Sequence, residues 1–261
     1  MDSSSTRRSA LMGLSIAAAG LATAGGAASA QAAARADDLI PTSATGLESL
    51  SARLARAPRR RDFRSLPMVL EDPMLWDHEA IGELLAYGAG PKQIWDNTEI
   101  ASPWLSGMRN ALNAQIFSFR HPDFLVVSAT HGQAQLALLD QAMWEKYQLA
   151  RHAGGVTANT FLQHDRKAQA DRSLQSQAGA YSSADESVPD LMDRGVVFLA
   201  CHLGLWELVG TLIRTGVNPD RLSHGAIVAE LTNNLAPGVV LTPGMAATIP
   251  EFQQAGYHYI K

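Results

Sequence analysis

Residues 195–210 constrain the fold more than any other part of the chain. A run of apolar residues from Val196 to Ala200 leads directly into Cys201, the only cysteine in the sequence. Such an unbroken run, bounded by Gly195, is typical of a strand buried on both faces of a parallel sheet. After Cys201 the apolar residues recur at helical spacing. We therefore predict that Cys201 lies where a strand ends and a helix begins.

The alternation of strand and helix patterns extends through the rest of the chain. Further strands are predicted over residues 92–96, 124–132, 239–242 and 257–261. Helices are predicted over residues 103–119, 134–149, 203–216 and 245–255, and residues 226–235 are predicted to form a helix or a lid segment. This alternation indicates an α/β fold, with a mostly parallel sheet of about five strands, right-handed crossovers and helices on both faces.

The first 30 residues have the composition of an export signal. Arg7 and Arg8 precede a weakly apolar stretch at 10–24, and Ala-Ser-Ala at 28–30 offers a small-residue cleavage site. The arginine pair resembles the twin-arginine type of signal. We expect residues 1–30 to be removed, which leaves a periplasmic or secreted protein with no stable membrane span after cleavage.

The mature chain divides by composition into an arm and a domain. Residues 31–66 are rich in Ala, Ser and Arg and are predicted to be a linker or peripheral arm, with its arginine run at 59–61 solvated. Residues 67–261 are predicted to form the α/β domain, with its core at about 90–261. Residues 151–190 are polar and too long for an ordinary connection, which indicates a functional lid or a mobile insertion.

Charge and cysteine content limit the possible partners. The net charge of −4 is carried by an acidic domain, which argues against a nucleic-acid partner. A lone cysteine in an exported protein is either buried or a reactive thiol. The positive end of the following helix favours the thiolate of Cys201. The alternative is that Cys201 is a small apolar residue that closes a strand, because free cysteines are among the most buried residues.

Candidate site residues follow from the rule that open α/β sheets bind ligands at the carboxyl ends of their strands. Cys201 is the candidate nucleophile. The candidate supporting or ligand-binding residues at the strand ends are Asp96, His131, Gly132, His202 and Gly244. Under the strand order 2-1-3-4-5, the strands ending in His131 and Cys201 are separated by one other strand, which places their backbones about 10 Å apart.

Three segments resemble the DsrE/DsrF-like sulfur-relay family. They are Gly-Val-Val-Phe-Leu-Ala-Cys at 195–201, Val-Val-Leu-Thr-Pro-Gly-Met at 239–245, and residues 252–261. The resemblance covers roughly residues 90–261. It implies a flavodoxin-like three-layer sandwich, often assembled as a homo-oligomer, in which the cysteine matching Cys201 carries sulfur as a persulfide. It also implies a partner that gives or takes sulfur, either a protein or a small sulfur compound.

Two other functions are consistent with the same residues. Cys201 with His131 and His202 would suit zinc or copper, but no close Cys-x-x-Cys or His-x-x-x-His spacing supports such a site. We therefore predict neither a metal nor a cofactor. The second alternative is a non-catalytic exported module that binds a small ligand and in which Cys201 is inert.

Overall fold

The computed structural model of the protein describes residues 39–184 and 186–261, so the export signal predicted at 1–30 lies outside the described residues. Its centre is a five-stranded sheet in which every pairing is parallel. The strands are β1 (Lys92–Asn97), β2 (Leu125–Thr130), β3 (Val197–Cys201), β4 (Val240–Thr242) and β5 (His258–Ile260). Each strand coincides with a predicted one, with small differences at the ends.

Helices cover both faces of this sheet. The α-helices of the described residues are α1 (Thr45–Arg56), α2 (His78–Leu85), α3 (Trp104–Asn113), α4 (Gln141–Lys146), α5 (Arg166–Ala170), α6 (Val188–Asp193), α7 (His202–Arg214), α8 (His224–Asn233) and α9 (Met245–Gln254). Side chains of α1, α2 and α9 share one core with one face of the sheet, which we call the α9 face. Side chains of α3, α4, α6, α7 and α8 share a second core with the opposite face, the α7 face. The protein is therefore a three-layer α/β sandwich, and the predicted fold class is confirmed.

Strand β3 shows why its sequence is apolar without alternation. Phe198 and Ala200 belong to the core on the α7 face, and Leu199 and Cys201 belong to the core on the α9 face. Successive side chains of a strand point to opposite faces, so a strand covered by helices on both sides favours apolar residues at every position. The thiol of Cys201 consequently points toward the α9 face.

The strand order is β4-β3-β2-β1-β5, which differs from the predicted order 2-1-3-4-5. From β1 to β4 the chain advances one strand at a time, and helices of these connections pack on the α7 face. The last connection runs through α9 on the opposite face and places β5 beside β1. Crossovers between parallel strands are right-handed, so connections that run across the sheet in opposite directions place their helices on opposite faces. The expectation that another strand separates β2 from β3 is wrong, because the two strands are paired.

The segment predicted as a linker or arm is part of the sandwich. Helix α1 buries Leu47, Leu50 and Leu54 in the core on the α9 face. Their spacing forms one apolar stripe along the helix, which is how an amphipathic helix meets a sheet. The prediction for residues 31–66 is therefore wrong for the part that the structure describes, which begins at residue 39.

Two arginines of the predicted solvated run are paired with carboxylates of the domain. Arg60 Nη2 lies 2.7 Å from Glu79 Oε1, and Arg61 Nη2 lies 3.0 Å from Asp77 Oδ2. Asp77 is fully buried and also accepts the backbone N–H of Leu241 in β4. The run fastens the first part of the chain to the edge of the sheet.

The polar insertion at 151–190 packs against the domain. Glu186 accepts a hydrogen bond from the guanidinium of Arg109 in α3 at 2.6 Å. The side-chain amide of Asn113, also in α3, donates to the carbonyl of Tyr181 at 2.8 Å. Asn159 donates to the carbonyl of Leu139, just before α4. These contacts hold the segment at several points along its length.

The helix predicted over 134–149 is broken in the structure. A 3₁₀ turn at Ala134–Leu138 is followed by the extended residue Leu139, and α4 then begins after an Asp140 cap. Leu139 forms an isolated antiparallel bridge with Leu235, which takes its backbone out of the helix. Within residues 39–184 and 186–261, no helix has both the length and the apolar character needed to cross a bilayer.

Candidate active site

The chain creates a crevice between the carboxyl ends of β3 and β4. After β3 the chain enters α7 on one face of the sheet, and after β4 it enters α9 on the other face. Adjacent strands whose following helices leave in opposite directions form a switch point, which is where open α/β sheets bind ligands. Cys201 is the last residue of β3 and the N-cap of α7, which confirms its predicted place in the fold.

A cavity of about 590 Å³ occupies this crevice. This volume lies within the range of sites that hold small molecules. Side chains and backbone from the ends of β2, β3 and β4, from α7 and α9, and from the insertion line it. The lining residues are His131, Gly132, Gln133, Leu136, His152, Cys201, Leu203, Gly204, Glu207, Leu208, Thr211, Gly244, Met245, Ala246 and Ala247.

The sulfur of Cys201 is held by the first turns of two helices. Sγ accepts the backbone N–H of Gly204 in α7 at 3.3 Å and that of Met245 in α9 at 3.3 Å. The side chain belongs to the core on the α9 face, and the residue is 5 % exposed. The sulfur therefore lies at the base of the cavity, with two backbone donors directed at it.

Burial determines the protonation state of this thiol. Loss of solvent raises the pKa of Cys201, the N–H groups of Met245 and Gly204 lower it, and the charge of Glu207 raises it again. The pKa is raised overall. The helix N-terminus favours the thiolate in the expected direction, but desolvation outweighs the backbone donors, and the sequence alone left this burial open as an alternative.

A histidine–carboxylate pair lies at the ends of the two neighbouring strands. His131 Nε2 lies 2.7 Å from Asp96 Oδ1, and the hydroxyl of Tyr259 in β5 donates to Asp96 Oδ2 at 2.6 Å. Burial raises the pKa of Asp96, but the hydrogen bonds from Tyr259 and His131 outweigh burial, and the pKa is lowered overall. Asp96 is consequently a carboxylate, and it orients His131 at the cavity wall.

His202 does not reach the cavity, so its predicted role beside Cys201 is wrong. The side chain is fully buried, and Nε2 lies 2.8 Å from the carbonyl of Pro67. Desolvation lowers the pKa of His202 although backbone contacts with Pro67 and Met68 raise it. The turn from strand to helix directs Cys201 to one face of the sheet and His202 away from it.

The two predicted glycines both line the cavity, for different reasons. Gly132 has a φ of +57°, and a Cβ there would lie 3.0 Å from the carbonyl oxygen of Thr98. This backbone conformation favours glycine two residues after the end of β2. Gly244 is extended, and a Cβ there would lie 3.0 Å from a methyl of Leu203 across the crevice. A small residue is thus favoured where α7 and α9 approach each other.

The sequence did not identify several residues that line the cavity. Glu207 is exposed on α7, and its charge acts on Cys201. Gly204 lies three residues after the cysteine, which is the spacing between an N-cap acceptor and its backbone donor. The contact between Gly204 and Cys201 could therefore have been predicted from the sequence. His152 comes from the insertion, and no local pattern connects it with the ends of the strands.

A metal site formed by Cys201, His131 and His202 would lack one ligand, because His202 does not reach the cavity. Over residues 39–184 and 186–261, no group of three or more His, Cys, Asp or Glu side chains is arranged to hold a metal ion. The arrangement that remains is a buried thiol with two backbone donors, next to an oriented imidazole. A nucleophile and an acid–base group at adjoining strand ends are suited to transfer chemistry at sulfur.

Comparison of the chain with models of protein families, with curated proteins and with solved structures finds no match.

Proposed function

We propose that this protein is a sulfur carrier or sulfurtransferase that holds one sulfur atom as a persulfide on Cys201. The observation that carries the proposal is the position of the lone thiol at the base of a cavity, between the N-terminal turns of α7 and α9. The resemblance of residues 195–201 and 239–245 to the sulfur-relay family agrees with this role.

The transfer requires no external oxidant or reductant. The Cys201 thiolate attacks the outer sulfur of a donor persulfide, R–S–SH. A sulfur–sulfur bond forms at Cys201, the donor bond breaks, and the donor leaves as the thiol R–SH after taking up a proton. An acceptor thiolate reverses these steps when it takes the outer sulfur from Cys201.

The backbone donors at Cys201 are suited to both the thiolate and the persulfide form of this residue. The N–H groups of Gly204 and Met245 meet the Sγ atom that must carry negative charge as the thiolate attacks or leaves. Such preorganised donors stabilise charge that develops during the reaction. A second sulfur would extend about 2 Å from Sγ, which is the length of a sulfur–sulfur bond, and the cavity provides space for it.

The donor or acceptor in this proposal is a small sulfur compound or a cysteine of another protein. The cavity volume of about 590 Å³ is sufficient for a low-molecular-weight thiol. Leu136, Leu203 and Met245 form an apolar part of the cavity wall. A homo-oligomer remains a further proposal from the resemblance.

The test is to incubate the purified protein with a persulfide donor and to measure its intact mass. We expect a gain of one sulfur atom that dithiothreitol removes and that Cys201→Ser abolishes. The matched control is Cys201→Ser combined with Ser173→Cys, which moves the lone thiol to an exposed position. A persulfide on Cys201 should outlast one at position 173, because the cavity shields it. Absence of the adduct from the wild-type protein would contradict the proposal.

A second candidate function is a non-catalytic module that binds a small ligand. The specific observation in its favour is the raised pKa and 5 % exposure of Cys201, which describe an unreactive thiol. This function predicts that the protein gains no sulfur and that Cys201→Ser binds small thiols or their analogues as tightly as the wild-type protein. Calorimetry on both proteins would measure this.

The site of action that we propose is the periplasm, or outside the cell, after export through the twin-arginine route. The support is the sequence of residues 1–30 with Arg7 and Arg8. Replacing both arginines by lysine should retain the full-length precursor in the cytoplasm of a bacterial host, as measured by fractionation. A processed periplasmic product from this variant would contradict the proposed route.

A further inference from the structure

Three ionisable side chains besides Cys201 line the cavity in the described part of the chain. They are His131, His152 and Glu207. Glu207 raises the pKa of the thiol and so opposes its ionisation. The Nε2 atom of His152 is shielded from solvent and has no hydrogen-bond partner. His131 is the one whose ring a carboxylate orients.

The sheet brings Cys201, His131 and Asp96 to the ends of three consecutive strands. Thr130 of β2 pairs with Ala200 of β3, so His131 and Cys201 are the next residues on two neighbouring strands. Asp96 of β1 pairs with Ala129 of β2. Neighbouring strands lie about 4.8 Å apart, which is close enough for a ligand in the cavity to meet both the thiol and the imidazole.

We propose that His131, positioned by Asp96, is the acid–base residue for reactions of Cys201. This inference rests on the proposed sulfur chemistry and adds the proton transfers to it. Asp96 accepts the Nε2–H of His131, which leaves Nδ1 of the neutral ring as the proton acceptor. A thiol that is protonated at rest needs such an acceptor close by before it can attack.

His131 acts first as proton acceptor and then as proton donor, so every proton in the reaction is accounted for. Nδ1 takes the proton of Cys201 directly or through a water molecule, and the thiolate attacks the donor sulfur. The imidazolium, stabilised by Asp96, then gives the proton to the departing R–S⁻, which leaves as R–SH. Asp96 is a positioning residue here, because it acts through His131.

The charges around this pair determine the pH dependence that we expect. Tyr259 of β5 donates to Asp96, and the charge of Lys261 also acts on Asp96. His152 and Glu207 face the same cavity. Among the described residues, Asp96 is the carboxylate that contacts His131, so Asp96→Asn should change the pH profile of the reaction.

The experiment uses dithiodipyridine, a disulfide that Cys201 attacks with release of a thione that absorbs in the near ultraviolet, so no persulfide is needed. In single-turnover measurements across pH, we expect His131→Asn to slow the reaction by about a hundredfold or more. Added imidazole should restore part of the rate in His131→Gly, an effect that a purely structural role would not produce. The matched control is His258→Asn at an exposed position of β5, which should react like the wild-type protein.

The outcomes separate this inference from the proposed function. A wild-type rate and pH profile in a folded His131→Asn protein would overturn the role of His131, even if Cys201 still gains one sulfur atom. If Cys201 gains no sulfur but its reaction with the disulfide depends on His131, the sulfur-carrier function fails and the acid–base role stands. If the wild-type thiol does not react with the disulfide at any pH, the acid–base role is contradicted.

Discussion

The backbone N–H of Met245 donates to the sulfur of Cys201 at 3.3 Å, although the two residues are 44 positions apart in the chain. The contact joins the first turn of α9 to the end of β3. It exists because β3 and β4 are neighbours and their following helices leave on opposite faces. The site therefore depends on the strand order and not on residues 195–210 alone.

The charge of Glu207 should control how easily Cys201 ionises. The pKa of Cys201 is raised by burial first and by Glu207 as a smaller contribution. We expect alkylation of wild-type Cys201 by iodoacetamide to accelerate at a pH above that of an ordinary thiol. Glu207→Gln should move this acceleration to lower pH, whereas Glu251→Gln on the exposed side of α9 should not. Identical pH profiles for wild type and Glu207→Gln would show that the two groups are not coupled.

Leu50 should contribute to stability as a core residue of the domain. It is fully buried in α1 beneath the sheet, so Leu50→Ala should lower the free energy of unfolding by about 2–5 kcal/mol. The control is Leu174→Ala in the insertion, where the side chain is 51 % exposed and the expected change is below about 0.5 kcal/mol. Urea denaturation measures both. Equal small effects would support the linker that the sequence predicted for residues 31–66.

Local secondary structure was predicted from the sequence better than the contacts between distant segments of the chain. Apolar runs located β2, β3 and β4, because a strand covered on both faces has a distinctive composition. The strands β1 and β5 were also predicted, although they are more polar and partly exposed. Leu47, Leu50 and Leu54 have the spacing of one face of a helix. The burial of this face was not predicted, because the surrounding Ala, Ser and Arg residues resemble those of a linker. The arginines at 60 and 61 were predicted to be solvated, because their partners Glu79 and Asp77 are distant in the sequence.

The same limit applies to the candidate site. Cys201, His131 and Gly132 were found because each lies at the end of a recognisable strand. His202 was selected by its proximity in sequence, but the strand-to-helix turn places it on the other face. His152 was missed because its position depends on how the insertion folds back. Contacts between distant segments depend on the strand order, and local sequence patterns contain little information about the strand order.

The ion pair between Arg60 and Glu79 should stabilise the protein in a pH-dependent manner. The hydrogen bond from Arg60 holds the pKa of Glu79 at about 2, below the ordinary value of 4.5. A lowered carboxyl pKa contributes stability above pH 4.5, and this contribution is lost as the pH falls toward 2.

Because the Glu79 side chain is 36 % exposed, its contribution at neutral pH should be at most about 1 kcal/mol. Unfolding of wild type and Glu79→Gln by urea at several pH values tests this expectation. The difference between them should shrink as the pH is lowered, and Glu251→Gln should show no comparable trend. A difference that stays constant down to pH 2 would exclude a contribution from this ion pair.

Gly204 should be required for the packing of the first turn of α7 beneath the cavity. A Cβ at this position would lie 2.7 Å from Nε2 of Gln135, whose side chain is buried and whose Oε1 has no hydrogen-bond partner. The amide would have to move within a closed core, so Gly204→Ala should destabilise the protein by about 1–3 kcal/mol.

The matched control for Gly204→Ala is Gly82→Ala in α2, where a Cβ meets no atom within 4 Å. That substitution should stabilise the protein by up to about 1 kcal/mol, because alanine favours the helix and loses less backbone freedom on folding. Opposite signs for two glycine-to-alanine changes in helices would isolate the effect of packing from that of helix propensity. If Gly204→Ala also stabilises the protein, the start of α7 is not packed tightly against Gln135, and the amide of Gly204 has more freedom beside the Cys201 sulfur than the structure indicates.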